Sequence, residues 1–186
     1  MDNNQSYKHL LGLVKTREKA VAAFVTFLEK ETSWLTSPAS TRFHNDFEGG
    51  LLQHSISVAE TLLKIKEILS PGVENESCVI VGLFHDVGKV GFPGKPFYLP
   101  NPDKEGGRKS GRRYIVNPEV VSMGLAVRSL FLVSQYIPLT EEEAQAITYH
   151  DGQYIEENKV IAHRERPLTL LVSYADNWVG CILEKK

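Results

Sequence analysis

Apolar residues recur every three or four positions along nearly the whole of this 186-residue chain, and this spacing constrains its fold most strongly. The spacing matches the helical turn of about 3.6 residues, whereas the alternating pattern of a half-buried strand is scarce. Hydrophobic residues make up 42% of the chain and charged residues 24%, a balance typical of a globular protein with its own core. We therefore expect an all-α bundle.

Glycine, proline and capping residues divide this pattern into six predicted helices. They are expected over residues 10–28, 51–69, 74–88, 118–131, 141–150 and 167–183. Pro71-Gly72 stops the second helix, and Asn117-Pro118-Glu119 is typical of a helix start. Thr140-Glu141-Glu142-Glu143 predicts a capping box at the start of the fifth helix.

A long segment without a helical pattern separates the third and fourth predicted helices. Residues 91–116 contain four prolines and five glycines, and ordered loops of this length are usually functional. Phe97-Tyr98-Leu99 and Tyr114-Ile115-Val116 predict a small β-hairpin within it. The segment has an excess of basic residues, namely Lys95, Lys104, Arg108, Lys109, Arg112 and Arg113.

The charge balance and the apolar runs exclude several function classes. Lysine and arginine number 21 against 23 aspartates and glutamates, which gives a formal charge of −2. This balance provides no general attraction to nucleic acid, so any such contact depends on a local patch. No apolar run approaches the roughly 18–20 residues of a membrane span, and MDNNQSYKHL lacks the order of a signal peptide. We expect a cytoplasmic protein that does not act at a membrane.

Two polar residues occupy core-facing positions of predicted helices. His54 shares the apolar stripe of the second helix with Val58, and Asp176 lies between Val172 and Val179 on the buried face of the last helix. A buried, unpaired carboxylate costs several kcal/mol, so Asp176 needs a cation, a metal ion or a proton. The alternatives are a core histidine with satisfied hydrogen bonds and a buried aspartate–arginine pair.

His85 and Asp86 end an otherwise apolar helix, VIVGLFHD, immediately before a Gly-Lys turn. Adjacent helical residues point about 100° apart, so at a helix end both side chains can reach one ion. Imidazole nitrogens with carboxylate oxygens suit Mn²⁺, Fe²⁺, Co²⁺, Ni²⁺ or Zn²⁺. Together with His54 and Asp176, this pair gives four candidate ligands.

The order His54, His85-Asp86, Asp176 on a helical chain resembles the HD superfamily of metal-dependent phosphohydrolases. The resemblance covers residues 43–183 and is carried by FHNDFEGGLLQHSISVAETLL, GLFHDVGKVG and PLTLLVSYADNW. The first of these motifs is similar to HD domains of exoribonuclease-like and phage-encoded relatives. The resemblance implies that the four residues bind one divalent ion (Mn, Fe, Co, Ni, Zn or Mg).

The same resemblance implies a single HD domain over residues 1–186. Residues 1–40 would form an N-terminal helix and linker, and residues 43–183 the HD core with one long loop. Two-metal members of the superfamily supply extra histidines between the HD pair and the final aspartate. No histidine occurs between His85 and His150, so we expect one ion, with a second ion less favoured.

Two residues near the predicted metal site allow several interpretations. His150, in ITYHDG, is a candidate ligand of a second ion, a phosphate contact or a helix cap. Lys89 follows a glycine as in a phosphate-binding P-loop, but the glycine spacing is wrong and Val90 replaces the required serine or threonine. We interpret Lys89 as a phosphate contact beside the metal ion, with a solvated turn lysine as the alternative.

Further candidate substrate contacts lie in the long segment and upstream of His54. Lys95, Arg112 and Arg113 would meet substrate phosphates, and Tyr98 or its neighbour Phe97 would stack on a base. A solvated surface loop is the alternative for all of them. His44 is a candidate substrate contact or a support for the metal ligands.

The resemblance implies a metal-dependent phosphohydrolase, a phosphomonoesterase or phosphodiesterase. A metal-activated water would cleave a phosphate ester of a nucleotide or short oligonucleotide, with Asp86, Lys89 and His150 as catalytic residues. The alternative is a non-catalytic nucleotide-binding or regulatory HD module. That alternative is motivated by the incomplete histidine set and by the lack of a separate catalytic base.

Overall fold

The structure, a computed structural model, describes residues 3–41, 44–102 and 112–185. Within these residues the chain is predominantly helical, which confirms the all-α expectation. The helices and strands are α1 Asn3–Gly12, α2 Glu18–Glu31, α3 Gly50–Leu69, α4 Asn75–Phe84, β1 Tyr98–Pro100, β2 Tyr114–Val116, α5 Leu125–Ser134, α6 Glu141–Tyr149 and α7 Pro167–Trp178. Short 3₁₀ helices at 87–90, 152–154 and 156–161 and a π-helix at 179–183 complete the fold.

The long first helix expected from the sequence is two helices, α1 and α2. The chain turns between them, and the Glu76 carboxylate from α4 accepts hydrogen bonds from the backbone N–H groups of Lys15 and Thr16 at 2.7 and 2.8 Å. Arg17 binds the same carboxylate at 2.7 Å. These bonds satisfy the backbone groups that an unbroken helix would pair internally.

The helix expected to begin at Pro118 begins instead at Leu125. Asn117 does form a local turn, since its Oδ1 accepts a hydrogen bond from the backbone N–H of Glu119 at 3.0 Å. The next residues do not continue that turn as a helix. The Val121 carbonyl accepts a hydrogen bond from the Arg128 guanidinium at 2.8 Å, so a side chain from inside α5 satisfies it.

The predicted hairpin is present, with Tyr98 opposite Val116 and Leu99 opposite Ile115 in an antiparallel pair. A buried arginine anchors the base of the hairpin. The Arg128 guanidinium carbon lies 5.5 Å from the ring centre of Phe92 and 5.2 Å from that of Phe97. Because both distances suit cation–π attraction, this contact helps to fix the strand that leads to Tyr98.

Helix α3 packs against α1, α4 and α7, so it lies at the centre of the bundle. Its contact with α4 is unusually close, because Gly82 faces Ala59. The N-terminal helices share the same core, and the buried Trp34 indole donates a hydrogen bond to the Tyr7 hydroxyl at 3.1 Å. None of the helices among the described residues combines the length and apolarity that a membrane crossing requires.

Candidate metal centre

Three helices bring His54, His85, Asp86 and Asp176 together in the centre of the bundle. His54 lies on α3, His85 caps the C-terminal end of α4 with Asp86 after it, and Asp176 lies on α7. His54 Nε2 is 2.9 Å from Asp176 Oδ1 and 3.9 Å from Asp86 Oδ2. His85 Nε2 is 3.8 Å from the same two oxygens.

Each of these histidine–carboxylate separations fits two ligands of one ion. Two donor atoms that each lie about 2.1 Å from one ion are about 3.0–3.4 Å apart at cis or tetrahedral angles, and up to about 4.2 Å apart when opposite. The four separations, from 2.9 to 3.9 Å, lie close to this range. The side chains of His54 and His85 are fully buried, so the ion would be shielded from bulk water.

An unpartnered ring nitrogen of His85 also points to a cation. His85 Nδ1 lies 2.9 Å from the Gly82 carbonyl oxygen, to which it can only donate, so the neutral ring carries its lone pair on Nε2. His54 Nδ1 lies 2.9 Å from Glu184 Oε2. The Nε2 of His85 is buried and has no hydrogen-bond partner among the described residues, whereas the Nε2 of His54 lies 2.9 Å from Asp176 Oδ1. Buried polar atoms of this kind need a partner, and a metal ion would supply one.

The charges of the cluster suit a divalent ion. Burial lowers the pKa of His85 to about 4, so this ring is neutral near pH 7. Burial alone would raise the pKa of Asp86, but Lys89 and His150 hold it well below its ordinary value. Burial likewise opposes ionisation of Asp176, but His54 lowers the pKa of that carboxyl. The result is two carboxylates that face a neutral imidazole, a donor set that suits Mn, Fe, Co, Ni or Zn.

In the metal-free protein a proton on His54 offsets part of this negative charge. Burial alone would lower the pKa of His54, but the carboxylates of Asp176 and Glu184 raise it to about 9. A metal ion at His54 Nε2 would therefore displace a proton at neutral pH.

His150 adjoins this cluster from the end of α6. Its Nδ1 donates to the Ile147 carbonyl at 2.9 Å, and its Nε2 lies 3.6 Å from Asp86 Oδ1 and 3.8 Å from Asp151 Oδ2. Burial alone would lower the pKa of His150, but Asp86 raises it to about 9. The ring thus caps α6 through Nδ1 while its Nε2 faces the second oxygen of Asp86, a placement suited to a phosphate contact or a second ion.

Lys89 is largely shielded from solvent beside Asp86 and is not a solvated turn lysine. Its ammonium forms a close ion pair with Asp86, and only 12% of its side chain is exposed. Burial alone would lower the pKa of Lys89, but Asp86 raises it well above its ordinary value. Burial raises the pKa of the Tyr98 phenol, and the positive charge of Lys89 partly offsets that effect.

The remaining predicted contacts lie in two places. The His44 ring centre is 4.7 Å from that of His54, so His44 adjoins the metal ligands. Lys95 and Arg113 are exposed, Arg112 is half-buried, and none of the three forms an ion pair with the cluster in the described part of the chain. Three further basic residues of this segment, Lys104, Arg108 and Lys109, lie outside the described residues.

Sequence reasoning missed two acidic residues that the structure places beside the site. Asp151 follows His150 directly, and its position at a helix end gave it the appearance of a turn residue. Glu184 lies behind His54 on the side away from Asp176. The only sequence feature that points to Glu184 is its position about two helical turns after Asp176. A π-helix between the two residues changes the direction in which Glu184 points, and helical periodicity does not predict this change.

Comparisons with known proteins identify the family of the chain. The family model described as HD domain matches residues 51–177, a range that contains all four candidate ligands. A dihydroneopterin 2′,3′-cyclic phosphate phosphodiesterase from Methanocaldococcus jannaschii is 44% identical over 57 residues, which cover 28% of this chain and 23% of that relative. The chain thus matches about a quarter of the length of this relative. No solved structure shows a significant match. Since the family model covers most of the chain, the chain belongs to the HD domain family.

Proposed function

We propose that this HD domain is a metal-dependent phosphohydrolase that cleaves a phosphate ester of a nucleotide or a short oligonucleotide. The observation that carries the proposal is the placement of the buried Nε2 atoms of His54 and His85, which face the carboxylates of Asp86 and Asp176. The Nε2 of His85 has no hydrogen-bond partner among the described residues. Two overlapping trios, His54–His85–Asp176 and His85–Asp86–His150, could each hold a metal ion, and HD domains bind divalent metals.

The proposed ligands of this ion are His54, His85, Asp86 and Asp176. Mixed nitrogen and oxygen donors favour Mn, Fe, Co, Ni or Zn over Mg, which prefers oxygen. One ion is the simplest occupancy, and His150 with Asp151 provides donors for a second. A divalent ion bound here supplies Lewis acidity and an activated water close to the substrate phosphorus.

The residues around these ligands support a reaction at phosphorus. Lys89 holds Asp86 in place and adds a buried positive charge beside the position of the phosphoryl oxygens. His150, when protonated on Nε2, can donate a hydrogen bond to a phosphoryl oxygen or a proton to the leaving oxygen. Asp86, Lys89 and His150 are therefore the proposed catalytic residues.

The proposed substrate contacts extend from this centre towards the hairpin. Tyr98, whose phenol senses the charge of Lys89, is the aromatic candidate for stacking on a base, and His44 adjoins His54. Lys95, Arg112 and Arg113 would provide positive charge further out. The similarity to a protein named as a cyclic-phosphate phosphodiesterase supports a phosphodiester as the first substrate to test, ahead of a monoester.

The test compares hydrolysis of a cyclic nucleoside monophosphate, a nucleoside monophosphate and a short oligonucleotide by protein reconstituted with Mn²⁺. Asp86→Asn should reduce turnover by about 10²-fold or more, because it removes a charged group at the reacting centre. His9→Ala, at an exposed histidine of α1, is the matched control and should retain wild-type turnover. If the protein binds metal and nucleotide but turns over none of these substrates, the proposed enzymatic activity is wrong and a non-catalytic nucleotide-binding module is favoured.

A further inference from the structure

A carboxylate is held behind the metal-facing histidine of α3. Glu184 Oε2 lies 2.9 Å from His54 Nδ1, and only 6% of the Glu184 side chain is exposed. The opposite ring nitrogen, His54 Nε2, faces Asp176 at 2.9 Å and Asp86 at 3.9 Å. The His54 imidazole thus lies between the Glu184 carboxylate and the candidate metal position.

The π-helix after α7 determines where Glu184 lies. In an uninterrupted α-helix, residue 184 would be about 80° around the axis from Asp176, since eight steps of about 100° separate them. The π-helix at Val179–Leu183 takes one more residue per turn, so it rotates Glu184 back towards the face that carries Asp176. The backbone N–H of Glu184 donates to the Val179 carbonyl at 2.9 Å, five residues earlier, which secures this turn.

A glycine in the same π-helix leaves room for a histidine beside Glu184. A Cβ atom at Gly180 would lie 3.3 Å from ring atoms of His44. His44 in turn packs on the His54 ring, and its Nε2 lies 3.9 Å from Glu184 Oε2. His44, His54 and the π-helix therefore enclose the carboxylate, so its position is fixed from several sides.

The three site histidines differ in how Nδ1 is held. His85 and His150 donate Nδ1–H to backbone carbonyls of Gly82 and Ile147, each one turn earlier in the same helical segment. Only His54, among the described histidines of the site, donates Nδ1–H to a carboxylate. An anionic partner fixes the ring and makes the opposite nitrogen a stronger metal donor than a neutral carbonyl does.

We infer that Glu184 is a positioning residue for the metal centre: it orients His54 and strengthens Nε2 as a ligand without itself contacting the ion. The inference rests on the proposed metal site. It assigns the π-helix a role, because an α-helical end to α7 would turn Glu184 away from His54.

The test measures the dissociation constant of Mn²⁺ for wild type, Glu184→Ala and Glu184→Gln, from the free Mn²⁺ signal in electron paramagnetic resonance. Glu184→Ala should weaken binding about 10–100-fold, the usual effect of losing such a partner. Glu184→Gln keeps an oxygen that accepts the same hydrogen bond but lacks the charge, so it should recover part of the affinity. Glu31→Ala, at an exposed carboxylate at the end of α2, is the matched control and should bind like wild type.

Three results would overturn the inference in distinguishable ways. Wild-type protein that binds no Mn²⁺ would remove the proposed metal site, and the inference with it. If the wild type binds Mn²⁺ and Glu184→Ala binds it with the same affinity, the metal site stands but the positioning role of Glu184 is wrong. If the wild type binds two ions per chain and Glu184→Ala binds only one, Glu184 is a ligand of the second ion together with His44, and not a positioning residue. Circular dichroism of each variant before metal addition checks that all the compared proteins are folded.

Discussion

Gly82 on α4 lies so close to Ala59 on α3 that a Cβ atom at residue 82 would be 2.6 Å from the Ala59 Cα. The backbones of α3 and α4 are therefore in contact close to His54 and His85. His54 lies five residues before Ala59, and His85 lies three residues after Gly82. The Gly82 carbonyl also fixes the His85 ring. The separation of these two helices sets the distance between His54 and His85.

Gly82→Ala should therefore damage both stability and metal binding. Overpacking at a helix contact typically costs about 1–3 kcal/mol of unfolding free energy, and the helices can relieve it only by moving apart. Urea unfolding and Mn²⁺ titration would measure the two effects. Gly12→Ala, where a Cβ atom meets nothing within 4 Å, is the control and should change neither quantity appreciably. Wild-type affinity in Gly82→Ala would show that the helix spacing does not control the site.

Asp86→Ala should abolish metal binding and activity while the helices remain folded. Asp86 lies just beyond the C-cap of α4, so its loss removes a ligand and leaves the helical hydrogen bonds intact. The variant should be less stable than wild type, because Lys89 loses its buried partner. Metal content and circular dichroism would be measured on the same samples. Full metal occupancy in the variant would show that Asp86 is not a ligand.

Metal binding should release a proton and weaken as the pH falls below about 9, because the proposed ligand His54 has a pKa raised to about 9 in the metal-free protein. His85, with a pKa lowered to about 4, is already neutral and should contribute no proton at pH 7. The apparent affinity should fall about tenfold per pH unit for each proton displaced. Calorimetry in buffers of different ionisation enthalpy would count the protons. An affinity that is constant from pH 6 to pH 8 would contradict this charge assignment.

Much of the fold was predictable because the signals are local. The capping box at Thr140 has both of its hydrogen bonds, and α7 begins at Pro167. The hairpin also forms, with its first strand one residue later than expected, at Tyr98–Pro100. The four candidate ligands also converge as their helical positions suggested. Helical periodicity specifies which face of a helix is buried, and polar residues on that face of three packed helices meet in the core.

The parts that the sequence did not predict depend on contacts between distant residues or on irregular helix geometry. The break before α2 depends on Glu76, about 60 residues away in the chain. The late start of α5 depends on Arg128, which reaches back to the Val121 carbonyl. The position of Glu184 beside His54 depends on the π-helix at Val179–Leu183, which no periodic pattern in the sequence indicates.

The Glu76 contact makes the fold sensitive to acid. Partial burial alone would raise the pKa of Glu76, but hydrogen bonds from Thr16, Arg17 and the backbone of Lys15 lower it to about 2, from an ordinary value of 4.5. A lowered folded pKa means that the stabilisation is complete above about pH 5 and is lost as the pH falls towards 2. Glu76→Gln should be less stable than wild type at pH 7, with the difference shrinking in acid. Urea unfolding at several pH values, with Glu31→Gln as control, would show this convergence, and a difference that stays constant down to pH 2 would contradict it.

Replacing Arg112 and Arg113 together with alanine should raise KM for a nucleotide substrate and reduce its dependence on salt, with metal binding intact. A shielded charge-assisted contact contributes about 1.5–3 kcal/mol, and an exposed one much less. Arg113 is exposed, so we expect a change of severalfold and not of orders of magnitude. Identical kinetics at low and high salt would show that both arginines are solvated surface residues.

The most direct test of the metal centre is a crystal structure of the protein with Mn²⁺, with anomalous scattering used to locate the ion. The geometry predicts one strong peak bonded to His54 Nε2, His85 Nε2 and oxygens of Asp86 and Asp176, at about 2.0–2.3 Å. Glu184 should remain on His54 Nδ1 and out of contact with the ion. A protein that shows no peak between these four side chains, or whose Asp176 pairs with an arginine instead, would contradict the account.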